Sequence, residues 1–473
     1  RQRQMCIRDR VISEKRINMG MNIILSIMIS IIYLLMHSTG YYDFSLRFMV
    51  AIGLIPVASV AILLLQTAEI RIAVITLVLY QTWNMFLEPY TWDLPVKSIY
   101  RIFSSDDFPM MALCSTLSIW MLYFGFLYGM HKIKSKSLFT ENYLNIRQIE
   151  KLLVYMIIGG LVLQLTQMII SALRIPFGFL GLIETMLPST VGAVAVLYWL
   201  RGGRKIIYLI LTIVYVAYYF VYYVGGTLFI YSIFLIAAPT VIYIVERKKI
   251  PYMTVFTVAI LLLPIYLSRH TYRNEGLYSS GTERLLIGWK ILETEYANAN
   301  ILHWQELINK DHQNYNVDNR TEGVTYLATI INRINNGTSQ YAYGETIAWL
   351  PTMFIPRFLI PFRPSQNMGD KWAIYYGVKD ASWRASINFP MLCEFYANFG
   401  YLGMIILSFF NGIFIIWMMG KFNNGIGDTN LMLLIFVVTK IIVIEANVTL
   451  AYGAILQVIT ICWLIKRFIP KTV

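Results

Sequence analysis

Read from its amino terminus, the chain alternates apolar runs of spanning length with short polar connections, about twelve times over. The runs lie near Met21 to Met36, Leu46 to Leu65, Ile72 to Leu87, Pro109 to Met130, Leu152 to Ala172, Phe179 to Leu200, Ile206 to Val224, Thr227 to Val245, Pro251 to Ser268, Met391 to Met419, Leu431 to Ala446 and Val448 to Ile465. Each approaches the ~20 apolar residues that a helix needs to cross a bilayer, where every backbone polar group must find its partner within the segment. The pattern predicts an all-α fold, a polytopic bundle of about twelve transmembrane helices. Only Gly225 and Gly226 separate the seventh run from the eighth.

One connection breaks the rhythm. Residues 269–390 form an insertion far longer than a link between helices requires, and long loops of this kind usually carry function. In its first half Ser280 and Glu283 have capping-box spacing, and Leu285, Leu286, Trp289, Leu292 and Tyr296 recur at helical intervals, which predicts an amphipathic helix, soluble or interfacial. The remainder is rich in Pro, Asn, Gly and aromatics and reads as a packed irregular lid. The organisation expected is a tail over 1–18, transmembrane helices over 19–268, the loop over 269–390, and the last transmembrane helices over 391–473. The opening RQRQMCIRDR reads as translated adapter sequence, so 1–10 are set aside and a natural start is expected at or near Met19 or Met21.

Composition agrees with a membrane class: 57% of the residues are hydrophobic and 14% charged, against about 25% charged in ordinary soluble domains. The net charge of +13 raises nucleic acid as a partner, but the cations come in short clusters between apolar runs, the pattern of cytoplasmic membrane loops. Lys15 and Arg16, then HKIKSK with Arg147 and Lys151, then RGGRK, ERKK, and Lys466, Arg467 and Lys471 fall in one alternating set of connections. The other set holds Arg47, Lys97, Arg101 and Arg174 with several acids. Positively charged loops stay in the cytoplasm, so both termini are expected inside and the long loop outside. Cys114, Cys393 and Cys462 show no metal-ligand spacing.

Within the long loop the cations gather at its two ends. Arg269, His270 and Arg273 follow the ninth apolar run, and Arg333, Arg357, Arg363, Lys371 and Arg384 precede the tenth. An arginine fork suits phosphate oxygens because it donates parallel hydrogen bonds and keeps its charge. At headgroup depth the matching ligand is a lipid pyrophosphate. Arginines beside helices also snorkel to headgroups, and the interleaved Tyr341, Tyr343, Trp349, Phe354, Trp372, Tyr375, Tyr376 and Trp383 suit either stacking on sugars or an interfacial belt. His270 is the candidate general base, since neighbouring cations favour its neutral form. Glu394 is the rival base, or a partner for one arginine. Lys440, deep in an apolar run, calls for a carboxylate partner such as Glu445 or one on another helix.

Two runs carry a family likeness. ETIAWLPTMFIPRFLIPFRPSQNMGDKW, followed by SINFPMLCEFYANFGYLGM, resembles the Wzy-type bacterial oligosaccharide repeat-unit polymerases of O-antigen and capsule. In that family a proline–arginine segment after a long outer loop leads to a glycine-bearing stretch and then to an acidic, aromatic, Asn-Phe-Gly approach to the final helices. This chain matches at Pro356, Arg357, Pro361, Pro364, Gly369, Glu394, Asn398, Phe399, Gly400 and Gly403. Arg333 and Gly344 have the family's arginine–ten residues–glycine spacing, whereas Thr227 stands after Gly226 where relatives often place an arginine.

The resemblance implies a GT-C-like, metal-independent and cofactor-free glycosyltransferase in the bacterial inner membrane. It would transfer a glycan from undecaprenyl pyrophosphate to the terminal sugar of a lipid-linked repeat unit, building O-antigen, capsule or exopolysaccharide. Its implied partners are undecaprenyl-pyrophosphate-linked glycans, the lipid bilayer, a chain-length regulator and a flippase, and no nucleic acid. His270 and Glu394 would be catalytic; Arg269, Arg273, Arg333, Arg357, Arg363 and Arg384 would bind pyrophosphate. Three alternatives stay open: a metal-dependent lipid-phosphate-sugar glycosyltransferase using Asp106 and Asp107, an O-antigen ligase, and a flippase or transporter. A transporter would normally show internal repeats and several charges at the bilayer midplane.

Overall fold

The computed structural model of the chain describes residues 19–36, 44–67, 69–91, 108–133, 143–172, 178–225, 229–247, 249–254, 256–257, 286, 289–290, 293–294, 323–353, 355, 368–379, 389–423, 427–441 and 446–468. Among these every regular element is helical and there is no strand. In chain order the helices are α1 (Met19–Met36), α2 (Phe44–Thr67), α3 (Ile70–Phe86), α4 (Phe108–Lys132), α5 (Ile146–Ala172), α6 (Gly178–Leu200), α7 (Ile206–Gly225) and α8 (Phe229–Arg247). Then come α9 (Gly323–Asn335), α10 (Glu345–Ala348) and α11 (Met368–Tyr375), followed by α12 (Met391–Asn423), α13 (Asp428–Ile441) and α14 (Val448–Phe468). Among the described residues α2, α3, α4, α5 and α12 hold the 5 stretches long and apolar enough to cross a membrane, and α1, α6, α7, α13 and α14 supply shorter apolar ones. The architecture is that of an all-helical, multi-pass membrane protein.

Helix ends follow local chemistry. Asn145 and Gln148 bond each other's backbone N–H through their side chains, at 2.8 and 2.9 Å, a reciprocal box that opens α5. Pro109 sits in the first turn of α4, where its missing N–H costs nothing, and His131 and Lys132 close the same helix against its negative dipole end. Asn22 and Gln66 exchange two amide hydrogen bonds, at 3.2 and 2.9 Å, and tie α1 to α2 where an unsatisfied amide would be expensive.

Helices α4 and α12 pack backbone to backbone, and glycine makes it possible. A Cβ on Gly125 would collide with the carbonyl of Phe409, and one on Gly412 with the carbonyl of Leu122. With lipid as solvent, association comes from close backbone approach rather than from the hydrophobic effect, so small residues at the crossing matter most. Gly125 meets Gly412 while Gly129 meets Ile416, so the two helices run parallel.

Helix α12 is bent near its start. Phe399 and Gly400 leave helical geometry, with Gly400 at φ 65° and ψ −157°, a conformation that suits glycine. From Tyr401 to Asn423 the helix is about 34 Å long, enough for the ~30 Å hydrocarbon core, and the segment Met391–Asn398 stands beyond the bend.

The other end of α12 leads to an ion-pair knot. Arg201, in the turn after α6, donates both guanidinium nitrogens to Asp428 at 2.7 and 2.6 Å and reaches Glu246 at 3.0 Å. The Leu144 N–H donates to the same Asp428 carboxylate at 2.6 Å. Nearby, Lys205 pairs with Glu150 at 2.9 Å. Burial by itself would lower the Arg201 pKa, but the hydrogen bonds and charge of Asp428, then Glu246, outweigh it and hold it above its usual value. The basic stretches RGGRK and ERKK and the start of α5 thus meet at one end of the bundle.

The long loop, read as irregular after its first amphipathic stretch, is largely helical where it is described. Val324, Leu327, Ile330 and Ile331 of α9 are buried, and Gly323 lies flat on the Phe86 ring at the end of α3. In the predicted amphipathic stretch the described residues 286, 289–290 and 293–294 are helical, with Leu286 and Trp289 exposed.

Candidate functional site

The described part of the loop folds down onto the bent start of α12. Glu394 and Asn398 are one helical turn apart and both fully buried, and Asn398 Nδ2 donates to the Glu394 carbonyl at 2.7 Å. The same amide donates to Thr346 Oγ1 at 2.7 Å and, through Oδ1, accepts the Gly344 N–H at 2.8 Å. Gly344 turns its N–H inward at φ 91°, a backbone state that favours glycine. The Glu394 carboxylate accepts the Val448 N–H at 2.7 Å, with the Thr346 hydroxyl beside it. Val448 is the first residue of α14, so a carboxyl oxygen satisfies an otherwise orphaned donor at a helix N-terminus. One buried node therefore joins the loop, α12 and α14.

Arg333 reaches this node through α9 and α11. The Thr338 and Ser339 N–H groups close α9 on the Arg333 carbonyl at 3.0 and 3.1 Å, and the Ser339 hydroxyl donates to the Tyr375 carbonyl at 3.2 Å. Tyr376 then donates its hydroxyl to the carbonyls of Gln340 at 2.9 Å and Ala397 at 3.3 Å. Burial pushes the Tyr376 phenol well above its usual pKa, so it stays a donor. The Arg333 guanidinium lies flat over Gly377, at φ 68°, where any Cβ would collide with Nε. Arg333 is exposed and has no ion-pair partner among the described residues. The glycine that shapes its surroundings is Gly377; Gly344, separated from Arg333 by ten residues in the pattern, serves Asn398 instead.

Two anchors fix the loop on either side of 356–367. Gln457 of α14 donates to the Met353 carbonyl at 2.7 Å, and Gly369 packs against the Phe389 backbone, where a Cβ would stand 2.9 Å from its nitrogen. Lys371 faces Glu345 at 3.8 Å, both exposed, while Lys379 is buried against Asp370 at 2.6 Å.

Of the site residues read from the sequence, Arg333 and Glu394 fall within this arrangement. Arg269, His270, Arg273, Arg357, Arg363 and Arg384 lie outside the described residues, as do Asp106, Asp107 and Glu445. Sequence reading missed Thr346, Gly377, the hydrogen-bonding role of Tyr376, which it had read only as one of the interleaved aromatics, and Gln457. No motif marks the first three, and a single glutamine in an apolar run was the available signal for Gln457.

Residues 319–472 match the family model described as O-antigen polysaccharide polymerase Wzy. Over these residues the chain is similar to the Wzy family. The match begins just before α9 and takes in the Glu394 node, Arg333 and both loop anchors. No curated protein and no solved structure matches the chain. The Wzy match supports an O-antigen polymerase role, and with the apolar helices it indicates a multi-pass membrane protein.

Within the Wzy region Glu394 is bound into the scaffold, which separates two substitutions. Glu394→Gln keeps an oxygen for the Val448 N–H and should leave thermal stability in detergent nearly unchanged. Glu394→Ala leaves that buried donor unpaired and should cost about 1–3 kcal/mol. Equal melting behaviour of the two variants would contradict the buried node.

Proposed function

We propose that the chain is a membrane glycosyltransferase that polymerises undecaprenyl-pyrophosphate-linked repeat units at the outer face of the bacterial inner membrane, with about twelve spanning helices and both termini inside. The observation that carries the reading is the Wzy match over 319–472, whose described residues fold into one connected unit, with an exposed arginine that has no ion-pair partner among them beside a buried carboxylate node. Its location at the end of α12 away from the Arg201–Asp428 knot accords with a site outside and basic loops inside.

In the proposed reaction the acceptor sugar hydroxyl attacks the anomeric carbon of the donor glycan. A new C–O glycosidic bond forms as the C–O bond to pyrophosphate breaks; the electron pair leaves with the pyrophosphate and the hydroxyl proton goes to the base. His270 is the proposed base, and Arg269, Arg273, Arg333, Arg357, Arg363 and Arg384 offset the growing charge on the leaving group. Glu394, fully buried and committed to the α14 terminus, is proposed as a positioning residue that keeps α12, α14 and the 344–346 turn together. The chemistry requires no metal in this reading, and a flippase and a chain-length regulator would act before and beside it.

Surface glycans of a strain lacking the gene test the proposal. A single repeat unit on the lipid core, restored to a ladder by the intact gene, is expected. Unchanged long chains would overturn the reading, and loss of even the single unit would move it to a ligase or flippase.

A further inference from the structure

We propose that the groove bordered by α6, α7 and α8 holds one anionic phospholipid, with its acyl chains along the helices and its phosphate at Arg247 and Lys249. The inference is independent of the polymerase reading and needs only that these apolar helices lie in a bilayer. The groove is an open cavity of about 1190 Å³. Its wall is apolar along most of its length, including Ala195, Val216, Ala217, Phe220 and Leu235, and Gly192 against Pro239 forms part of its floor, 3.3 Å from where a Cβ would stand.

Charge is confined to one end. Arg247 and Lys249 line the groove there, both exposed, and neither makes an ion pair among the described residues. Trp199, also in the lining, carries the Arg204 guanidinium over its ring at 4.6 Å, which adds a third cation at an aromatic rim. Among the described residues the acids near this end are already paired, Glu246 and Asp428 with Arg201 at 3.0 and 2.6 Å and Glu150 with Lys205 at 2.9 Å. A neutral lipid would leave these cations uncompensated, and a protein helix would have to bring acids to a membrane surface already rich in anionic headgroups.

Length selects the occupant further. From Leu209 to Val221 the α7 wall rises about 18 Å, slightly more than half of a ~30 Å hydrocarbon core. That matches chains entering from one leaflet. The basic end is formed by the same turns, around Arg201 and Glu246, that meet at the Asp428 knot, so the leaflet is the one at the end opposite the Glu394 node.

The test is native mass spectrometry of the purified full chain exchanged with phosphatidylglycerol or phosphatidylcholine, with polyprenyl phosphate as competitor. Wild type should retain one phosphatidylglycerol preferentially. Arg247→Ala/Lys249→Ala should weaken retention about 25-fold, roughly fivefold for each basic side chain at a membrane surface. Ala217→Trp, which fills the groove and leaves the cations, should abolish it while melting stays near wild type. Equal retention of phosphatidylcholine, unchanged retention in either variant, or displacement of phosphatidylglycerol by equimolar polyprenyl phosphate would each overturn the assignment.

Discussion

Asp428→Ala is expected to give a protein that still inserts in the membrane but unfolds in detergent at a clearly lower temperature than wild type. Its carboxylate is 1% exposed and accepts three hydrogen bonds, two from the Arg201 fork and one from the Leu144 N–H. Arg201 is itself only 19% exposed, so removing its main partner leaves a largely buried cation with Glu246 as its remaining acid. Breaking such a pair from one side typically costs about 3–5 kcal/mol, because the surviving charge stays desolvated. Asp428→Asn, which still accepts from Leu144, should fall between. Removing both charges with Arg201→Met/Asp428→Leu should recover part of the loss, since an apolar pair of similar volume avoids the desolvation penalty. Intrinsic-fluorescence melting of the four proteins checks the order; an unchanged melt for Asp428→Ala would mean that the knot does not hold α6, α8 and α13 together.

This knot shows what could be read from the residues and what could not. The helix segments among the described residues were legible because a bilayer admits few backbone solutions, and runs such as Phe108–Lys132 advertise themselves by length and hydrophobicity alone; most of the ninth run, after residue 257, lies outside the described residues. The clustering of RGGRK with ERKK followed from charge bias. Their tie to Asp428 did not, since that contact spans 227 residues of sequence and carries no local signal.

The site divides in the same way. Glu394, Asn398 and Gly400 stand out as a motif, and the structure gives them separate physical roles, as a helix-terminal acceptor, a three-way amide junction and a left-handed bend. The pairing of Arg333 with Gly377 is hidden, because the suggestive spacing points to Gly344. Helix α9 escapes notice, although Val324, Leu327 and Ile331 have the right period, because Asn, Gly and aromatics around it read as loop.

The larger functional effect is expected from the segment that begins at Pro356. Met353 is held to α14 by Gln457, and Arg357 follows it in sequence by four residues. Arg363 precedes Met368 by five residues, and Gly369 packs on the Phe389 backbone on that side. The segment that carries both proposed phosphate ligands is thus flanked on each side by a described anchor. Loss of one preorganised group that stabilises developing charge commonly slows a reaction by about 10²–10³-fold, and losing two should remove detectable polymer.

The most direct measurement is the glycan ladder made by purified wild type and Arg357→Ala/Arg363→Ala from lipid-linked repeat units, with melting of both proteins in parallel. The account predicts extended chains and released undecaprenyl pyrophosphate for wild type, and unextended units from an equally stable variant. Extension at the wild-type rate by the variant, or no extension by a folded wild type, would contradict it.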